Sequence, residues 1–189
     1  MSHFKNILHR ALFTRNKCKL RTATGAILCR LCHREVERIS HLATCRRMRP
    51  IWDKFRSIHK ITTTNKQDHL KLTLLGYSTP ELPTSISDFH LILWKFIIIH
   101  FTLVDLDNRP FRPDDVWIGA IRRYLSKIHS LQQKIRLEVA EAQALERPAN
   151  IRRFNDLLAP LATIDELGKL RWSSQMAPHA ADLCPGCED

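Results

Sequence analysis

The sequence predicts a mainly α-helical chain, with a small Cys-Cys-His-Cys module followed by a helical domain that carries one long amphipathic helix. Three observations support this. Cys29, Cys32, His41 and Cys45 fall at metal-ligand spacing within 17 residues, early in the chain. A long segment beginning at Pro113 places apolar residues at alternating spacings of four and three. Only five glycines are spread over 189 residues, too few for a fold rich in tight β-turns.

Phe4, Ile7, Leu8, Ala11 and Leu12 recur at helical spacing, which predicts a short basic helix at the start, and residues 22–25 read as a turn. After the cysteine stretch, Ser40 is a candidate N-cap. A helix is then expected through Trp52, Phe55 and Ile58, kinked or divided at Pro50. Residues 61–84 read as a connector in which Leu70, Leu72, Leu74 and Leu75 form a short helix. Phe89 to Val104 is apolar almost all round, as a core helix is. Its Ile97-Ile98-Ile99 run favours strand locally, but length and the absence of turn residues favour helix. The longest apolar run, Leu91 to Val104, is broken by Lys95 and His100 and is shorter than the roughly 20 residues needed to cross a bilayer, so no membrane partner is expected.

Pro113-Asp114-Asp115 starts the long helix, with proline in the first turn and acids at the positive end of the dipole. Trp117, Ile121, Tyr124, Ile128, Leu131 and Ile135 form its stripe, which resumes at Val139, Ala142 and Leu145 and ends before Pro148. Packing of this stripe on the apolar helix of the same chain is preferred to a homodimer or a partner helix docked along residues 114–146. A short helix follows at Ile151, Phe154, Leu157 and Leu158, and Thr163 to Glu166 has capping-box spacing. Residues 173–189 read as a loose tail in which Cys184 and Cys187 have no assigned role. The expected domains are a head over 1–60, a connector over 61–84, a helical domain over 85–172 and that tail.

Charge separates the head from the rest. Residues 1–60 hold 15 Lys and Arg against three acids, whereas residues 61–189 hold 15 against 16. A concentrated positive field attracts polyanions by releasing their condensed counterions, so RNA or DNA is the expected partner. No secretory signal is read, and a nuclear or cytoplasmic setting is expected. The absence of acids from the first 34 residues is also compatible with a mitochondrial leader.

The chemistry lies in Cys29-x2-Cys32-x8-His41-x3-Cys45. Zn²⁺ takes thiolates and imidazole in a tetrahedron. A Cys-x2-Cys turn aims two thiolates at one ion, and a helix begun at Ser40 would put His41 and Cys45 on one face. The intervening residues offer only Leu31, Val36 and Ile39 as a core, so a structural metal is expected. His33 adjoins Cys32 and would struggle to reach the same ion. Four protein ligands leave no position for water, so a structural role is expected in place of a catalytic one. Arg30, Arg34, Arg38, Arg46, Arg47 and Arg49 lie within or just after the motif, and Lys17, Lys19 and Arg21 just before it. All nine are candidate phosphate contacts. Trp52 and Phe55 are read as helix packing in preference to base stacking.

This stretch, with Leu20-Arg21-Thr22 before it and Ile51-Trp52 after it, resembles the zinc-knuckle region that follows the polymerase domain in non-LTR (LINE-type) retrotransposon reverse transcriptases. The likeness covers about residues 7–58. It implies contact with template RNA or target DNA, in a chain that lacks the polymerase domain and its Tyr/Phe-x-Asp-Asp signature. Some such elements add a restriction-like nuclease with a Pro-Asp carboxylate. Here no acid-x-Lys pair follows Pro113-Asp114-Asp115, so no enzyme is expected.

Overall fold

The computed structural model describes residues 28–63, 65–76, 82–107, 109–145 and 151–183. Among these residues there are seven helices and one two-stranded sheet. The helices are α1 (Ile39–Thr44), α2 (Arg49–His59), α3 (Lys66–Leu75), α4 (Thr84–Leu106), α5 (Pro113–Ala144), α6 (Ile151–Leu158) and α7 (Ala177–Leu183). Strands β1 (Ala162–Ile164) and β2 (Leu170–Trp172) lie between α6 and α7. The basic helix and turn expected before residue 28, and the pair Cys184 and Cys187, lie outside the described residues.

The chain divides into two compact units, Met1–Glu81 with Leu93–Trp117, and Leu82–Ile92 with Ile118–Asp189. Helices α4 and α5 each pass from one unit to the other, while α3, from the expected connector, belongs to the first.

In the first unit Pro50 divides the expected helix in two. The chain breaks after Thr44 and restarts as α2 with Pro50 in its first turn, where a missing N–H costs nothing. The start of α1 is a correction: Arg38 occupies the N-cap without a side-chain hydrogen bond, and Ser40 lies inside the helix. Lys60 closes α2 in the left-handed conformation (φ 51°). Asn65 caps α3 by accepting from the Asp68 N–H, and Gly76 ends it at φ 60°. Trp52 and Phe55 are both buried, Trp52 lying 5.4 Å from the Trp94 ring. The Trp94 indole N–H donates to the Thr73 carbonyl at 2.6 Å, tying α4 to α3.

Helix α4 forms straight through Ile97-Ile98-Ile99. Helix satisfies every backbone group locally, whereas a strand would need a neighbour, and the one sheet among the described residues is the short hairpin. With Thr84–His90 added, α4 is long and apolar enough to cross a membrane by length and composition. Leu93, Trp94 and Ile97 are nonetheless buried inside the first unit.

In the second unit the α5 stripe is the core. Ile121, Tyr124, Ile128, Ile135, Val139 and Ala142 are buried, and Leu145, just past the helix end, is exposed. Phe89 of α4 meets Tyr124 edge-on at 5.2 Å, and Lys127 pairs with Asp88. Burial raises the Tyr124 pKa.

Two expectations for the C-terminal segment are corrected. Thr163 to Glu166 does not cap a helix. It runs from β1 into a hairpin turn, with Ala162 opposite Trp172 and Ile164 opposite Leu170. The Asp165 carboxylate accepts from the Leu167 and Lys169 N–H groups, and Gly168 supplies φ 75°. Short polar side chains close turns in this way as readily as they cap helices, so the spacing did not discriminate. Residues 173–183 are not a loose tail: α7 follows, with Met176 and Ala180 buried.

Candidate metal centre

The cysteine stretch forms a short hairpin followed by a helix. Leu28 bridges Val36, and the Cys29 N–H donates to the Glu35 carbonyl at 2.7 Å. Between them the chain turns tightly. The His33 N–H donates to the Cys29 carbonyl at 2.8 Å, and His33 sits at φ 53°. That turn brings Cys29 and Cys32 together while the His33 ring stays exposed. Helix α1 carries His41, and Cys45 follows its end.

Cys29, Cys32, His41 and Cys45 are all buried, and their ligand atoms lie within 4.8 Å of one another. Cys29 Sγ is 4.0 Å from Cys45 Sγ, about twice a disulfide bond length. Cys32 Sγ is 3.3 Å from His41 Nε2. The arrangement can hold a metal ion.

The sulfurs are electrostatically coupled. The hydrogen bond between them pulls the Cys45 pKa down and, together with burial, pushes Cys29 up. The Leu31 N–H donates to Cys29 Sγ at 3.4 Å, and backbone donors at Cys32 for Cys29 and at Arg47 for Cys45 act in the same direction, favouring thiolate. Thiols held among donors release their protons to a cation.

Three further residues shape the site. Glu35 Oε2 is 3.1 Å from His41 Nδ1. Donation from Nδ1–H to that carboxylate leaves Nε2 as the lone-pair donor facing the sulfurs. Glu37 is fully buried, accepting from the Arg30 N–H at 2.9 Å and from its Nε and Nη2 at 3.0 and 2.7 Å. Arg30 also pairs with Asp105 of α4 and lies over the Phe101 ring, 5.3 Å from its centre. Burial works against the Arg30 charge, but the two carboxylates outweigh it and raise its pKa.

Arg30 is therefore a correction to the expected phosphate contacts, because its guanidinium is enclosed between carboxylates inside the first unit. Arg34, Arg38, Arg46, Arg47 and Arg49 are exposed, and Arg49 lies 3.7 Å from Asp53. Lys17, Lys19 and Arg21 lie outside the described residues. The roles of Glu35 and Glu37 were not foreseen. The available signal was that they are the only two acids among the first 52 residues.

No protein-family model, no curated protein sequence and no solved structure matches the chain.

Proposed function

We propose that the chain binds nucleic acid through a zinc knuckle whose exposed arginines hold phosphates. The observation that carries this reading is the buried cluster of three thiols and one imidazole, flanked by Arg34, Arg38, Arg46 and Arg47, all exposed and without an ion pair among the described residues.

Zinc is the ion that the donor set favours. Thiolate-rich sites select soft or borderline metals, and three sulfurs with one nitrogen is a common structural zinc set. Zinc–sulfur bonds of about 2.3 Å and zinc–nitrogen bonds of about 2.0 Å place tetrahedral neighbours about 3.5–3.8 Å apart. The 4.0 Å and 3.3 Å separations bracket that range. Cys29, Cys32, Cys45 and His41 Nε2 would hold the ion, which would supply cross-linking in place of reactivity. Burial of Trp52 and Phe55 removes them as base-stacking platforms and favours backbone contact with little sequence readout. The resemblance to the LINE-type knuckle points to the same partner, and we read the chain as the C-terminal region of such an element. Asp114 and Asp115 lie in the first turn of α5, with Asp114 paired to Lys54 at 2.6 Å, and we assign them no catalytic role.

Metal analysis should find about one zinc per chain, and chelation should loosen the first unit. Labelled RNA and DNA oligomers, titrated across a salt series, should lose affinity steeply with salt. Arg34→Ala, Arg46→Ala and Arg47→Ala together should flatten the log–log slope by about 2–3 units. His41→Ala should weaken binding sharply, by unfolding the knuckle that presents these arginines. Protein that lacks metal, or His41→Ala protein that binds unchanged, would overturn the proposal.

A further inference from the structure

The near-neutral total for residues 61–189 conceals a polarised helix. Between Asp115 and Glu138 there is no acid, while Arg122, Arg123, Lys127, Lys134 and Arg136 all occur. All five are exposed on α5. Lys127 is paired with Asp88, and the other four hold no ion pair among the described residues. At about 100° per residue, Arg122 and Arg136 fall along one rim of the exposed face, and Arg123, Lys134 and Lys127 along the other. Exposed Ser126, Ser130 and Gln133 lie between the rims, together with one exposed apolar residue, Leu137. The opposite face, from Ile121 to Ile135, is buried.

We propose that this face of α5 is a second contact for the nucleic-acid phosphate backbone, carried by the second unit. The inference rests on the function proposed above and extends it beyond the knuckle. Arg122 to Arg136 spans about 21 Å of helix, close to the length of six phosphates along one strand of a duplex. Two rows of cations with hydroxyls between them match a run of phosphates and sugars. The face does not suit a lipid surface, because interfacial helices turn a broad apolar side outward to the acyl chains, whereas α5 buries its apolar stripe and exposes Leu137 singly among the cations.

The test uses the full chain carrying Arg122→Gln, Arg123→Gln and Lys134→Gln, exposed positions where glutamine keeps helix propensity. Melting temperature and circular dichroism should match the parent. Binding to RNA and duplex DNA should weaken about tenfold or more at low salt, with the log–log slope flatter by about 2–3 units. On the unsubstituted protein, bound oligomer should also shield Lys134 from an amine-reactive reagent, a readout that does not depend on the variant folding.

An unchanged slope with unshielded Lys134 would overturn this inference. If Arg34→Ala, Arg46→Ala and Arg47→Ala still flatten the slope in that case, the knuckle proposal survives alone. Loss of affinity for anionic-lipid vesicles or an acidic peptide, with nucleic-acid binding intact, would equally overturn it.

Discussion

His41 has a different partner on each ring nitrogen, and the assignment sets its chemistry. Glu35 faces Nδ1 and the sulfurs face Nε2. Replacing Glu35 with glutamine keeps the shape but removes the charge that fixes the tautomer. Metal affinity, measured by competition with a chelator, should fall about tenfold, the low end for such supporting residues because Glu35 is largely exposed. Arg30 poses the opposite case of a charge enclosed by carboxylates. Arg30→Met leaves Glu37 buried and uncompensated, which should destabilise the metal-loaded protein by about 3–5 kcal/mol. The double variant Arg30→Met, Glu37→Leu should recover most of that loss in denaturant unfolding. Nucleic-acid affinity per folded molecule should be unchanged by the double variant, in contrast to the loss expected on substituting Arg46 or Arg47.

At the scale of elements, α1 is too short to hold the metal ligands in place by itself. It leans on α3, where His69 Nε2 lies 3.3 Å from the Ala43 carbonyl, between His41 and Cys45 in the chain. Burial, followed by the nearby Arg56 charge, lowers the His69 pKa. A depressed histidine pKa means that the unfolded chain binds the proton more readily than the folded one. Stability should therefore fall as pH drops below the unfolded value of 6.5 towards the lower folded value. His69→Gln, which retains a side-chain N–H donor and does not titrate, should reduce the loss of melting temperature between about pH 7 and pH 5. An identical pH profile in the variant would remove His69 as the cause. Helix α5 presents the other extreme, a helix long enough to bury one face and still carry five exposed cations between Arg122 and Arg136 on the other.

At the scale of the whole molecule, the four residues that could hold a metal ion all come from a 17-residue segment, Cys29 to Cys45. Loop closure over so short a span is entropically inexpensive, and a complete donor set needs no distant cysteine. Cys184→Ser with Cys187→Ser should leave zinc content and nucleic-acid affinity unchanged, as measured by metal analysis and the same salt series. Loss of metal in that variant would make Cys184 or Cys187 a ligand donor. The residues Ile121, Tyr124, Ile128, Ile135, Val139 and Ala142 of the α5 stripe are buried within the chain.

Local chemistry was sufficient for the grouping of Cys29, Cys32, His41 and Cys45, for the break at Pro50, for helix α4 through its isoleucines and for the α5 stripe. Each depends on spacing or on a single residue's backbone limits, and both are written along the chain. The hairpin from Ala162 to Trp172 was not legible, because a polar Thr-x-x-Glu segment closes a turn or caps a helix with equal local propensity. Only the pairing of β1 with β2 decides between those outcomes. Nor could sequence separate Arg30 from Arg34, four residues apart and alike in composition. Glu37 and Asp105 enclose the first and leave the second in water, a difference made by folding a residue 75 positions away against the knuckle. Sequence by itself determined which atoms can bind the metal and which segments are helical, since both are local. Tertiary structure decided which charges are buried in pairs and which remain exposed to water, since desolvation depends on neighbours distant in the chain.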